Sequence, residues 1–185
     1  DDARAQAALT EQLQHLKSLN QQMHQDARNL TDALRGQVKT QGNWGEMILE
    51  RVLESSGLTK GREYDTQVAL RGEDGGRRLP DAIVHLPEGK DVVIDAKVSL
   101  VAYERFTSAE DEEERRQARE QHLQSLRAHI KGLDTKDYSR LDGIRSLDFV
   151  LLFIPVEGAF MTAMEAEPGL YTEAYERNIV LVSPT

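Results

Sequence analysis

Residues 80–97, PDAIVHLPEGKDVVIDAK, set two aspartates and a lysine into runs that are otherwise largely apolar. The arms, about 79–86 and 91–98, read as two strands of a hairpin. Side chains alternate along a strand, so Asp81, Ile83 and His85 share one face of the first arm, and Asp91, Val93, Asp95 and Lys97 one face of the second. The other faces, Ala82, Val84 and Leu86 with Val92, Ile94 and Ala96, are uninterruptedly apolar. Packing that set on one side of a sheet requires even residues to pair with even ones. The same register brings Asp81, Asp95 and Lys97 out together on the opposite side, at one end of the hairpin.

Two carboxylates in a partly buried site repel, and each resists ionisation unless a cation is supplied. A divalent metal supplies it, and a few carboxylates completed by water and phosphate suit Mg2+; no His/Cys arrangement suits Zn2+. A lysine two residues after Asp95 can orient water and stabilise charge on a phosphodiester. The outline is that of a phosphodiester-hydrolysing site. The plainer alternative is an Asp95–Lys97 salt bridge, with Asp81 accepting turn hydrogen bonds after Pro80.

Outward from the hairpin, GNWGEMILERVLESSGL reads as an amphipathic helix with Trp44, Ile48, Val52 and Leu53 on one side and Gly57 placed to cap its end. Gly42 and Gly45 mark a break from the preceding helix. A strand is expected at 64–70, joined through the RGEDGGRR turn to the first hairpin arm. A polar helix at 108–131 and a buried central strand in LDFVLLFIPVEG follow, then two short helices and the strand NIVLV. In residues 1–40, Leu9, Leu13, Leu16, Asn20, Met23, Ala27, Leu30, Leu34 and Gln37 alternate in steps of four and three, a heptad seam that predicts a coiled coil and self-association. The division is therefore 1–40, an oligomerisation helix, and 41–185, a globular domain that can extend beyond the carboxyl end of this stretch.

The chain has 185 residues, no cysteine and a formal charge of −9, which argues against a protein that coats DNA. Lys60, Arg62, Arg71, Arg77 and Arg78 nevertheless cluster just before the hairpin, as either a solvated loop or a track for phosphates. No apolar run approaches the roughly 20 residues that span a bilayer, so no membrane contact is expected of this stretch.

LPDAIVHLP followed by VVIDAKVSL resembles the PD-(D/E)xK nuclease signature, and the helix, three strands, helix, strand order resembles that superfamily's core. GNWGEMILERVLESSGL, DAKVSL and FIPVEGAF together resemble the RmuC family of bacterial DNA recombination proteins. The resemblance implies an α/β restriction-endonuclease-like fold, with a mixed sheet flanked by helices, behind a long coiled-coil helix. It implies DNA as partner, Mg2+ or Mn2+ as cofactor, and metal-dependent cleavage that limits or processes DNA rearrangements; superfamily members without activity leave a DNA-binding scaffold as the alternative. It further implies a cytoplasmic location, with the full-length chain anchored to the inner membrane where an amino-terminal segment precedes this stretch. Carried over, Asp81 is the PD aspartate, Asp95 the second acid, Lys97 the lysine, and Glu46 the helix acid, with Glu50 as its alternate. Glu157 either joins the site or caps the next helix. His85 is expected to be a satisfied sheet histidine.

Overall fold

The computed structural model describes residues 2–34, 38–66, 70–71, 77–78, 80–96, 99–133 and 146–185. The helices are α1 (Asp2–Leu34), α2 (Val38–Ser55), α3 (Val101–Ser108), α4 (Glu112–Gly132), α5 (Glu157–Ala166) and α6 (Gly169–Glu176). A five-stranded sheet runs in the order β1-β4-β5-β6-β7, from β1 (Tyr64–Thr66), β4 (Ala82–His85), β5 (Asp91–Asp95), β6 (Ser146–Phe153) and β7 (Ile179–Val182). A separate ribbon pairs β2 (Leu70–Arg71) with β3 (Arg77–Arg78). The β1, β4 and β5 strands are antiparallel neighbours, while β6 and β7 run parallel to β5. The fold is therefore mixed α/β, as expected.

The hairpin register pairs Ala82 with Ile94 and Val84 with Val92, even with even. The apolar face packs under α2, where Leu49 and Leu53 meet Ala82, Ile94, Ala96 and Phe153. On the other face, Leu126 and Ile130 of α4 cluster with Leu100, Tyr103 and Leu152. Both faces of β5 are thus covered, which explains why Val93 and Val150 are almost wholly buried although they lie on the aspartate side. The continuous apolar run at 149–154 is the interior strand β6, as its composition predicts.

Helix boundaries depart from the sequence reading in two places. The second helix begins at Val38 and passes through Gly42 and Gly45 without a break. Gly45 is buried there, where a β-carbon would stand 3.6 Å from Pro155 Cγ and 3.7 Å from the Ala96 carbonyl oxygen. Those are ordinary contact distances, so the site is closely packed but would accept a β-carbon, and nothing in the structure requires glycine there. The helix expected at 108–131 is α4, which starts at Glu112 with Asp111 capping it by accepting the Glu114 N–H at 2.8 Å, and a separate helix, α3, precedes it where none was expected. Gly57 does end α2, at φ 88°, with Leu58 N–H donating to the Leu53 carbonyl and Gly57 N–H to that of Glu54.

The α1 helix lies against α2, α3 and α5, yet Leu9, Leu13 and Leu16 are 57%, 59% and 60% exposed. The seam's side chains at Asn20, Met23, Ala27, Leu30 and Leu34, together with Gln37 and the turn at 72–76, lie outside the described residues. Among those described, no helix is long and apolar enough to cross a membrane.

At the sheet edge, His85 Nδ1 stands 2.7 Å from Asp91 Oδ1 and Nε2 2.8 Å from Asp65 Oδ2, so one imidazole ties β1, β4 and β5 together. The Asp65 and Asp91 carboxylates raise its pKa, partly offset by desolvation. This contribution to stability is full below the unfolded value of 6.5 and is lost as pH rises through the raised folded value. Because His85 is exposed, the effect is modest and screened by salt. Thermal melts across that window should show a decline that His85→Gln removes; an unchanged slope in the variant excludes the clamp.

At the other end of the hairpin, Asp81 Oδ2 accepts the Ala96 N–H at 2.7 Å in a buried setting. Asp81→Ala should cost about 1–3 kcal/mol in urea unfolding by leaving that donor unpaired, and Asp81→Asn much less, because it keeps an acceptor. Equal losses would show that charge, not the acceptor, matters there.

Candidate active site at the carboxyl ends of the parallel strands

Asp95 is the last residue of β5, opposite Leu152 of the parallel strand β6, and its side chain is directed with Leu152 toward the α3/α4 face. Carried one residue beyond Ala82 and Ile94, the hairpin register sets Asp81 beside Asp95 on that face. Both acids are buried, 3% and 5% exposed. Because β4 runs antiparallel to β5, the start of β4 and the end of β5 occupy one edge of the sheet.

Two further acids come to that edge. Trp44 packs into the α3/α4 cluster while Leu49 and Leu53 of the same helix pack on the opposite face. The start of α2 therefore wraps around the strand ends, and half-buried Glu46 follows Gly45, which lies against Ala96 and Pro155. Glu157 opens α5 directly after β6, is 5% exposed, and lies with Oε2 3.4 Å from the Thr185 N–H. Its carboxylate stands in the first turn of α5, where the helix dipole favours negative charge. Glu157 therefore begins a helix, and it lines a cavity with Ile48, Val52, Pro155 and Thr185.

Glu50 is held elsewhere, in an ion pair with Lys60 at 3.0 Å that also raises the Lys60 pKa. Arg62 lies 3.7 Å from its neighbour Glu63 and is largely exposed. Arg71 and Arg77 are cross-strand partners in the β2–β3 ribbon, with Arg78 opposite Leu70. Lys97 lies outside the described residues.

Two histidines on α4 escaped the sequence reading. His122, fully buried against the Tyr103 ring, has Nε2 2.9 Å from the Ala159 carbonyl oxygen, and desolvation lowers its pKa. That contact makes Nε2 the protonated nitrogen. Two turns on, His129 Nε2 lies 3.7 Å from Asp95 Oδ1. The signal in sequence was a seven-residue spacing alongside Leu126 and Ile130, which puts all four on one helix face.

Among the described residues, no group of three or more His, Asp or Glu side chains is arranged to hold a metal ion. Two buried carboxylates on neighbouring strands do match the donor set of Mg2+, which keeps several waters and takes only one or two protein carboxylates.

The RmuC family model matches residues 1–185. The chain is 56% identical over 184 residues to a DNA recombination protein RmuC homolog of Pseudomonas aeruginosa, an alignment covering 100% of this chain and 40% of that protein. It is 55% identical over 184 residues to DNA recombination protein RmuC of Escherichia coli, covering 100% of this chain and 39% of the relative. The homolog from Vibrio cholerae is likewise 55% identical, with 36% of its length covered. The chain thus spans about two fifths of the length of these relatives. No solved structure matches it. With the family model matched from end to end and more than half of all positions shared with these relatives, the chain belongs to the RmuC family.

Proposed function

We propose that this chain carries the nuclease-like centre of a DNA recombination protein, a PD-(D/E)xK core that hydrolyses DNA phosphodiesters with Mg2+ or Mn2+. The observation that supports it most is the side-by-side burial of Asp81 and Asp95 at the edge where β5 and β6 end, the position at which open α/β sheets bind ligands. Asp81 and Asp95 would hold the metal, with Glu46 as the helix acid and Glu50 as its alternate. The metal, when bound, stabilises charge on the phosphate and activates water. Lys97, two residues after Asp95, donates to the phosphate as negative charge develops. Arg71, Arg77 and Arg78 of the β2–β3 ribbon would contact DNA phosphates. Lys60 and Arg62 would add further phosphate contacts. The location that goes with this reading is the cytoplasm, as an inner-membrane-anchored protein where a preceding segment provides the anchor.

A second reading, a DNA-binding scaffold, draws support from the partners the acids already have: Ala96 N–H for Asp81 and His129 for Asp95. Single-turnover cleavage by the full-length protein on branched, single-stranded and duplex DNA separates the two. Asp95→Asn should abolish metal-dependent cutting, and Lys97→Met should slow it by about 10²-fold or more while metal binding persists. No cutting by wild type, with Lys97→Met changing only the salt dependence of DNA binding, selects the scaffold.

Either reading uses a second copy of the chain through α1. Leu9, Leu13 and Leu16 form an exposed apolar stripe at heptad spacing, a surface that another helix of the same pattern buries. Replacing all three by Glu should shift sedimentation from oligomer to monomer and leave the α/β fold unchanged. An unchanged mass would remove the coiled-coil assignment.

A further inference from the structure

We infer that His129 is a positioning residue for Asp95, fixing the plane of its carboxylate toward the metal; the inference rests on the metal-site reading above. His129 Nε2 is shielded from solvent and has no hydrogen-bond partner among the described residues. The oxygen facing it is Asp95 Oδ1 at 3.7 Å, inside ion-pair reach and just beyond hydrogen-bond length. A buried ring nitrogen left unsatisfied costs free energy, whereas a shift of under an ångström gives it a charge-assisted bond. Bonds of this kind are often long before a site is loaded and tighten when it fills. Since carboxylates only accept, Nε2 carries the proton that faces Oδ1.

The position of His129 is not left to its own side chain. Two turns earlier, His122 anchors α4 to the Ala159 carbonyl. Between them, Arg127 pairs with Glu167, beyond the end of α5, and reaches Glu173 of α6 at 3.7 Å. With Leu126 and Ile130 buried on the same helix face, α4 is keyed in rotation, and His129 is held over the end of β5. Holding Oδ1 toward α4 sets the direction of Oδ2. A partner that orients a ligating group in this way is typically worth 10–100-fold in metal affinity.

The test is calorimetric titration of the full-length protein with Mn2+ alone, alongside metal-free thermal melts, for wild type, Asp95→Asn, His129→Leu and His129→Gln. The glutamine amide nitrogen reaches about as far as Nε2 and can donate to Oδ1; leucine cannot. Expected is Asp95-dependent binding in wild type, an affinity loss of about 10–100-fold in His129→Leu, and recovery of most of it in His129→Gln at a melting temperature close to that of the leucine variant. Wild-type affinity in His129→Leu, with binding lost in Asp95→Asn, overturns the positioning role and leaves the metal site standing. Equal weakening in both His129 variants overturns the donor argument. Absence of Asp95-dependent binding in wild type overturns the metal site, and the role of His129 with it.

Discussion

The hairpin meets with even residues opposite even ones, and every other feature of the acidic edge depends on that register. Ala82, Ile94 and Ala96 are the floor on which α2 packs. A slip of one residue would turn that floor toward α4 and drive the aspartates beneath Leu49 and Leu53. The apolar face therefore sets where the acids point. Asp81 reinforces the arrangement from the other side: just before the start of β4, its carboxylate provides an acceptor for the Ala96 N–H.

The change from antiparallel to parallel pairing at β5 is what makes an edge into a site. An antiparallel neighbour contributes its beginning and a parallel neighbour its end, so Asp81, Asp95 and the Glu157 turn arrive at one border of the sheet from three separate stretches of chain. Both faces of β5 are covered by helices, which keeps that border largely dry, as the 3% and 5% exposures of Asp81 and Asp95 record. Low local polarity strengthens whatever bonds those acids make and penalises any that are missing.

Much of this was legible in sequence because periodicity reports faces. Alternation predicted the hairpin register, β6 stood out as an unbroken apolar run, and Gly57 announced the end of α2. Misplaced features were those where tertiary contact outweighs local preference. Gly42 and Gly45 look like a break, yet both lie inside a continuing helix, and Gly45 is buried beside Ala96 and Pro155. The short helix α3 ahead of α4 was not anticipated, and Asp111 in the acidic run reads equally well as helix surface or as helix cap. Glu46 and Glu50 lie one turn apart on one helix face, and the resemblance favoured Glu46 with Glu50 as alternate; the fold adds that Glu50 is engaged with Lys60. His129 is invisible in motif terms, since its relation to Asp95 joins positions 34 residues apart.

Asp81, Asp95 and Glu157 each have a structural neighbour at this edge, and that placement bears on how such an edge persists before any cation arrives. Buried carboxylates repel one another and favour unfolding unless their charge is answered. Here the answers come from groups that do not themselves need an ion: a backbone N–H for Asp81, an imidazole for Asp95, and a helix amino terminus for Glu157. The fold can thus hold acids together in advance, each constrained through one contact while the strand ends fix its neighbours. Dependence on backbone and helix placement also means that disturbing α4, which packs on Leu152 opposite Asp95 and carries His129, reaches Asp95 as directly as a change within the hairpin.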